Sequence, residues 1–274
     1  MNAPPLLDRW AMAFHPNGLA LPPRPDEIAT PQWLDSAPER YYADPFLYQH
    51  QGETWVFFED YEAASGRGRI SASPLHRFAP RPALVQDWHL SYPFLIEESG
   101  ELYCIPEQHE RGEVALYRCL RFPDVWQQEA VLLPNFAGVD PTVVWHEDRY
   151  WMWVGDQSRR ARDNTYLFHA PSLTGPWTEH RQSPAVHRPD KARPAGLPWR
   201  ENGRLYRPAQ DRRRTYGGGI VVYEVERLTP DHYQEREVAL WQPHPNWPYP
   251  EGLHHVCHGA DVTVWDAKQF VKEI

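Results

Sequence analysis

The fold is decided by a pattern first seen in Asp44-Pro45-Phe46-Leu47, which leads after a polar turn to Trp55-Val56-Phe57-Phe58-Glu59. A proline opens an apolar run, and an aromatic residue ten positions later opens a second run. Two apolar runs of this length joined by a short polar turn are typical of an antiparallel pair of strands. The first unit therefore predicts a β-hairpin.

The same unit recurs along the chain. The second copy joins Tyr92-Pro93-Phe94-Leu95 to residues 103–107, and the third joins Asp140-Pro141-Thr142-Val143 to residues 151–155. The prolines at 45, 93 and 141 are 48 residues apart both times. A fourth copy, at 193–197 and 206–210, has two extra residues in its turn, and a degenerate fifth covers 252–256 and 262–265. A fixed period of this size indicates a repeat architecture.

Each of the first four units carries two further short runs of β-branched or aromatic residues, so a unit has four strands. Four antiparallel strands per repeat make one blade of a β-propeller. We predict an all-β, five-bladed propeller over residues 1–274 as one domain, with blades that start near 44, 92, 140, 193 and 252. The fifth unit ends after two strands, so we expect residues 9–14, within an extended N-terminal segment of residues 1–40, to close the ring.

Composition narrows the function classes. The net charge of −9 and the pI near 5.9 argue against a nucleic-acid partner, which requires a basic surface. The sequence contains no run of eighteen apolar residues, so we predict no membrane span. It shows no charged region followed by an apolar core at its start, so we expect no signal peptide. A cytoplasmic protein is the resulting expectation, although a removed leader or a longer parent chain stays open.

Propeller geometry gathers polar residues at one rim. The start of a blade's first strand and the end of its second lie at the same end of the central channel. Aligning the units places Asp44, Tyr92, Asp140 and Arg193 at the first position. It places Glu59, Glu107, Gly155 and Gln210 at the second. Such varied ionisable residues at equivalent positions indicate a polar pocket.

Two levels of resemblance follow from these motifs. The Asp-Pro units at 43–46 and 138–141, with Leu173-Thr174-Gly175-Pro176-Trp177, resemble glycoside hydrolase family 43 and its relatives. More narrowly, residues 89–94, 105–107, 205–211 and 216–218 resemble the N-terminal-type module of glucosamine inositolphosphorylceramide transferase, also found in bacterial glycan-biosynthesis proteins. The resemblance covers roughly residues 40 to 270, and implies a carbohydrate or sugar-phosphate ligand and a partner enzyme of glycan synthesis.

The resemblance to family 43 implies that Asp44 is the general base. It implies that Asp140 modulates the pKa of a catalytic group and orients it. The general acid of family 43 is a Glu that opens the fourth blade, where this chain has Arg193 instead. Glu107 is then the best substitute acid, since an inverting hydrolase needs a second carboxyl across the bond. Arg193 and Arg207 would bind an anionic group on the ligand, or alternatively form salt bridges to Asp140 or Glu107.

Four more residues complete the predicted binding site. His89 comes from the narrow motif, Tyr92 offers a face for sugar stacking, and Gln210 lies at the predicted rim. Because alternate strand residues face opposite ways, we expect at most one of His254 and His255 to point inward, and we assign His254 to the binding site. We predict no metal and no cofactor.

Three functions stay open at this point. The first is a glycoside-hydrolase-like enzyme of glycan metabolism that acts on a glycosidic linkage of an anionic sugar or glycoconjugate, in a funnel at the propeller axis. The second is a non-catalytic module that binds a glycan or sugar phosphate. The third is a component of glycosyl transfer in polysaccharide or glycolipid biosynthesis.

Overall fold

A computed structural model describes residues 6–19, 23–24, 26–159, 163–259 and 261–272. Over these residues the secondary structure is strands and two 3-10 turns, at His109–Arg111 and Gln157–Arg159. The strands form five antiparallel sheets of four main strands, arranged as blades around an axis. The predicted all-β, five-bladed propeller is therefore confirmed.

The strands follow one another from blade to blade. The chain begins with two strands of the last blade, β1 Leu6–His15 and β2 Gln32–Leu34. Blade one contains β3 Arg40–His50, β4 Glu53–Glu62, β5 Arg67–Pro74 and β6 Arg81–Leu84. Blade two contains β7 Ser91–Glu98, β8 Glu101–Glu107, β9 Glu113–Arg121 and β10 Val125–Pro134.

The remaining blades are less regular. Blade three contains β11 Gly138–His146, β12 Arg149–Asp156 and β13 Asn164–Ala170, with the short β14 Thr178–Glu179 and β15 Val186–His187 on its outer edge. Blade four contains β16 Trp199–Glu201, β17 Arg204–Asp211, β18 Gly219–Leu228 and β19 Tyr233–Trp241. Blade five adds β20 Val256–His258 and β21 Thr263–Lys272.

The N-terminus closes the ring, as the sequence predicts. Strand β1 pairs along its length with β21, so that Met12 lies opposite Asp266 and Phe14 opposite Val264. Strand β2 then pairs with β1 as the outermost strand of the blade, so part of the predicted extended segment is a strand. Closure leaves no open edge on the inner strands of the fifth sheet.

The repeated proline marks a bulge at the start of three inner strands. The residue before it has a left-handed backbone in each case: φ is 53° at Asp44, 45° at Tyr92 and 50° at Asp140. The strand register shifts at the same three points. A bulge re-aims a side chain and releases a backbone N–H from the ladder, so these positions differ from the regular strand that follows.

Blade four departs from the predicted start near 193. Pro194 and Gly196 make only isolated bridges, to Ala209 and to Val256, and the regular strand begins at Trp199. Gly196 has φ of 121°, and a Cβ there would lie 1.9 Å from the Val256 carbonyl oxygen, so only glycine fits this close approach. The chain at residues 194–196 thus contacts both blade four and blade five before the regular strand begins.

Aromatic residues fill the space between blades. Trp151, Trp153 and Trp265 are almost wholly buried. Tightly packed aromatic side chains contribute much of the buried apolar area in such a core. The described part of the chain contains no apolar helix of membrane-spanning length.

Candidate functional site

Ionisable side chains converge where the inner strands begin. We call them the axial cluster: five carboxyl groups and three other polar side chains, all buried except for part of the arginine. Its members are Asp44, Glu59, Glu107, Asp140, Asp266, Arg193, Gln210 and His254. Six of them are residues that the sequence assigned to the site. Buried charges of this density require pairing or a shift in pKa.

Several carboxylates tie one blade to the next. The N–H of Asp44 donates to Asp266 Oδ2 (2.9 Å), and the N–H of Tyr92 donates to Asp44 Oδ2 (3.3 Å). The N–H of Asp140 donates to Glu107 Oε2 (3.1 Å). These are the N–H groups at the three bulges, so carboxylates from neighbouring blades satisfy the donors that the bulges release.

Arg193 holds two carboxylates at once. Its guanidinium donates to both carboxyl oxygens of Asp140, with Nη2 to Oδ1 at 3.0 Å, and Nη2 reaches Glu107 Oε2 at 3.3 Å. Gln210 Nε2 donates to Asp140 Oδ2 (3.3 Å). The guanidinium group is therefore already paired with carboxylates of the protein. This is the salt-bridge alternative that the sequence left open.

The environment separates the carboxyl groups into two kinds. Burial raises the pKa of Asp44 to about 6, against the attraction of His254. Burial also raises the pKa of Glu59, and that of Asp140 in spite of Arg193. Burial would raise the pKa of Glu107 too, but Arg193 and a hydrogen bond from His109 lower it to about 2. Such a division is a feature of acid–base sites.

Both histidines of the fifth blade approach Asp44, which corrects the expectation that only one points inward. His254 Nε2 lies 3.7 Å and His255 Nδ1 3.6 Å from Asp44 Oδ1. Residues 253–255 precede β20, so strand alternation does not govern them. His254 stacks on Trp10 with ring centroids 3.9 Å apart. Burial lowers the pKa of His255 to about 3, so that ring is neutral.

One part of the cluster could offer ligands to a metal ion. Asp44, His254 and Asp266 each place one ligand atom within 4.8 Å of the others. His254 Nδ1 and Asp266 Oδ1, however, already share a hydrogen bond of 2.7 Å. Asp266 also accepts the N–H groups of His254 (3.1 Å) and His255 (3.0 Å). Direct bonds within the triad account for its geometry, and the absence of a metal stays a prediction.

Partly exposed aromatic and imidazole rings surround the cluster. We call them the outer ring. Tyr41 stacks on Tyr61 with centroids 4.5 Å apart, and Tyr61 lies 6.3 Å from His89. His89 lies 6.4 Å from His109, whose Nδ1 is 3.0 Å from Glu107 Oε1. On the far side the Arg193 guanidinium lies 5.6 Å from Tyr216, the fifth member of the ring. Rings above hydrogen-bonding groups are typical of saccharide sites.

Two sequence-predicted binding residues lie elsewhere. Arg207 is 1% exposed and pairs with Glu235, with Nη2 to Oε1 at 2.8 Å. It stands three positions from Gln210 on β17, and an odd separation turns the two side chains to opposite faces. Tyr92 is buried, and its hydroxyl bonds Thr142 Oγ1 (2.7 Å) and accepts the Gly196 N–H (3.0 Å). Its ring therefore offers no face to a sugar.

Other residues of the site were absent from the sequence-based assignment. Asp266 follows Val262 by four positions, as Glu59 follows Trp55. Extending the fifth repeat by one residue beyond 265 would therefore have included it. Tyr216 stands within a quoted motif but was given no role. Tyr41 and Tyr61 carry no pattern of their own, because their stacking depends on the pairing of β3 with β4.

A groove opens beside the outer ring, between blades five and one. It has a volume of about 550 Å³ and shares Tyr41 and Tyr61 with the ring. Leu7, Arg9 and Val271 line its other side. The groove therefore adjoins the mouth above the axial cluster.

Comparison with known proteins places these features in a family. The family model described as "Glucosamine inositolphosphorylceramide transferase 1, N-terminal" matches residues 29–263. The protein "Glucosamine inositolphosphorylceramide transferase 1" of Oryza sativa subsp. japonica is 35% identical over 214 residues, and that of Arabidopsis thaliana is 35% identical over 213. Each match covers 74% of this chain and 28% of the relative, so the chain spans under a third of their length.

Solved structures share the fold at low identity. An exo-β-1,3-galactanase from Clostridium thermocellum has a TM-score of 0.57 at 11% identity, over 76% of this chain and 53% of that one. A family 117 glycoside hydrolase from Zobellia galactanivorans has 0.60 at 9%, over 94% and 90%. A thermostable family-43 glycoside hydrolase has 0.55 at 11%, over 77% and 83%. These similarities concern the propeller fold alone.

Proposed function

Since the chain belongs to the family of the N-terminal module of glucosamine inositolphosphorylceramide transferase 1, we propose that it is a carbohydrate-active propeller of glycan metabolism. A saccharide binds at the outer ring, and the axial cluster acts on a glycosidic linkage by hydrolysis or transfer. The shared fold of several glycoside hydrolases supports the proposal as an analogy only.

The observation that carries this proposal is the state of Asp44. Asp44 is 6% exposed, and its carboxyl group has no lysine or arginine partner among the described residues. A pKa of about 6 makes it a carboxylate near neutral pH while it keeps substantial basicity. These are the properties of a general base, whose best pKa lies near the working pH. In this proposal Asp44 deprotonates the water or hydroxyl group that attacks the sugar.

Other predicted residues take supporting roles. Asp140, Arg193 and Gln210 form a bonded group that fixes the floor of the site. His254, which lies beside Asp44, contributes a ring nitrogen to orient it. His89, half-buried in the outer ring beside Glu59, contributes its ring surface to the saccharide site. Glu107 is held as a carboxylate by Arg193 and His109, so it positions these groups and does not donate a proton.

The charge of the site favours a neutral or cationic sugar. The expectation of an anionic ligand rested on Arg193 and Arg207, and carboxylates already pair with both. The axial cluster has five carboxyl groups and one guanidinium. Excess negative charge repels an anion in a site of low dielectric. We therefore include an amino sugar, carrying an ammonium group, among the candidate ligands.

A non-catalytic binding module is the second candidate, and one observation favours it. Asp44, Glu107 and Asp266 each accept a bulge N–H or neighbouring N–H group, so the carboxylates have a structural task that requires no reaction. In that case the module presents a glycan to a partner enzyme, as a component of glycosyl transfer. A cytoplasmic location stays a prediction of the sequence.

A comparison of binding with turnover separates these functions. Wild-type protein, Asp44→Asn and the control Asp231→Asn, which changes an exposed residue between β18 and β19, are incubated with a panel of neutral, amino and phosphorylated sugars and glycosides. Binding is measured by calorimetry and products by mass spectrometry. The enzyme proposal requires products from wild type and control but not from Asp44→Asn. Equal binding by all three proteins with intact ligand would establish the binding module instead.

A further inference from the structure

Glu59 is a buried carboxyl group to which the sequence assigned no role. It lies near the end of β4, opposite Ala43 of β3, at the position that Glu107 and Asp266 occupy in their own blades. Its exposure is 6%. Within the described part of the chain its only ion-pair contact is His89, with Nε2 3.5 Å from Oε1, and no described residue donates a hydrogen bond to its carboxyl group.

The two equivalent carboxyl groups are held very differently. Glu107 contacts Arg193 at 3.3 Å and His109 at 3.0 Å, and accepts the Asp140 N–H. Asp266 accepts hydrogen bonds from three backbone N–H groups and the ring of His254. Such bonds stabilise an ionised carboxylate. Glu59 lacks such bonds among the described residues. At this position of blade one, no hydrogen bond therefore stabilises an ionised carboxylate.

His89 does not supply the missing positive charge. Its Nδ1 accepts the N–H of Gly68 at 2.9 Å. A ring nitrogen that accepts a hydrogen bond carries no proton, so the proton of the neutral ring is on Nε2, toward Glu59. Burial lowers the pKa of His89, which keeps the ring neutral at physiological pH. The neighbour of Glu59 is thus a neutral imidazole.

The backbone of β5 seals one side of this pair. A Cβ added at Gly68 would lie 2.7 Å from Glu59 Oε1 and 2.9 Å from His89 Cε1. It would also come within 2.5 Å of the Leu90 carbonyl oxygen. Only glycine allows the carboxyl group and the imidazole to pack this closely against the strand. Close packing excludes water and thereby removes the solvation that an ionised Glu59 would need.

Building on the proposed function, we infer that Glu59 is the proton donor to the leaving-group oxygen of the glycosidic bond, with Asp44 as the base. As the bond between the anomeric carbon and that oxygen breaks, Glu59 gives its proton to the oxygen. Water, or an acceptor hydroxyl group, attacks the anomeric carbon and gives its proton to Asp44. One proton leaves Glu59 and one arrives at Asp44, so the two carboxyl groups exchange states and solvent restores them.

The surrounding charges support a protonated Glu59. The groups that act on it are Asp44, Glu107, Asp266, Arg193 and His89. Burial raises the pKa of Glu59 well above its ordinary value, the three carboxylates raise it further, and Arg193 opposes them. A carboxylic acid kept neutral near pH 7 can donate a proton, as a general acid must. Two carboxyl groups with pKa values moved to different extents divide the roles of base and acid.

The test compares leaving groups of different acidity. Wild type, Glu59→Gln, Glu107→Gln and Asp44→Asn are given methyl and dinitrophenyl glycosides of the same neutral and amino sugars. A dinitrophenolate departs without protonation, so loss of the proton donor affects it little. We expect Glu59→Gln to lower kcat for methyl glycosides roughly a hundred- to ten-thousand-fold and to cleave dinitrophenyl glycosides at nearly the wild-type rate.

The variants distinguish a failure of this inference from a failure of the proposed function. If Glu107→Gln shows the leaving-group dependence and Glu59→Gln does not, Glu107 is the donor and the proposed function stands. If wild type cleaves no glycoside, or if Asp44→Asn cleaves them all like wild type, the proposed function itself fails. Glu53→Gln, a half-buried residue at the opposite end of β4 that pairs with Arg77, is the matched control and retains wild-type rates with every substrate.

Infrared spectroscopy tests the protonation state without any substrate. The difference spectrum of wild type minus Glu59→Gln at neutral pH should contain the carbonyl band of a protonated carboxyl group, and the Glu53→Gln difference should not. Only carboxylate bands in the Glu59 difference would overturn the inference. Because the carboxyl group of Glu59 accepts no hydrogen bond from the described residues, we expect the variant to fold, which a melting curve checks.

Discussion

Replacing Glu107 by Gln tests whether this residue holds the ring of blades together. Its pKa is about 2 in the folded protein and ordinarily 4.5, and one pKa unit corresponds to about 1.4 kcal/mol. The charged form of Glu107 therefore contributes on the order of 3 kcal/mol to the free energy of unfolding at neutral pH. Gln keeps the shape of the side chain but loses the charge that pairs with Arg193 and His109.

The pH dependence follows from the sign of this shift. Because the folded-state pKa lies below the unfolded value, the stabilisation is fully present above about pH 4.5 and is lost as the pH falls toward about 2. The variant should be about 3 kcal/mol less stable than wild type near pH 7, and this difference should shrink below pH 4.5.

Urea unfolding followed by tryptophan fluorescence measures the effect at several pH values between about 3 and 7. Glu101→Gln, at the exposed start of β8, is the control and should change stability by less than about 0.5 kcal/mol. A Glu107→Gln variant as stable as wild type at pH 7, or a loss that does not depend on pH, would refute the reasoning. Glu107 would then be free to act as the acid that its place in the repeat first suggested.

Three further predictions concern the other charged groups. Arg207→Met should lower the free energy of unfolding by about 3 kcal/mol, the lower end of the range for a broken buried ion pair, because Arg188 also contacts Glu235. Its saccharide affinity should not change. A large loss of affinity in the folded variant would place Arg207 in the site. The rate of glycoside turnover, as kcat/KM, should fall as the pH drops through about 6, because Asp44 must be deprotonated to act as a base; a flat profile between pH 5 and 7 would contradict this. Dialysis against a chelator should change neither melting temperature nor binding, since His254 and Asp266 bond each other directly, and a loss restored by a divalent cation would reveal a metal site.

The sequence alone determined the architecture and the neighbourhood of the site. The 48-residue spacing predicted the blades, and the two missing strands of the fifth unit predicted that residues 9–14 would close the ring. Equivalent positions of a propeller repeat face the same axis, so a linear alignment was enough to bring Asp44, Glu107, Asp140, Arg193 and Gln210 together. The alignment needed no knowledge of individual contacts.

Only the tertiary structure decided which partner each charged side chain takes. Arg193 and Arg207 both precede a proline in the sequence. In the structure Arg193 bridges Asp140 and Glu107, whereas Arg207 pairs with Glu235. The choice depends on the face to which each strand position turns and on residues up to 86 positions away. The pKa of a carboxyl group depends on burial and on such distant neighbours. Glu59 and Glu107 occupy the same place in their repeats, and only their surroundings make one a neutral acid and the other a carboxylate.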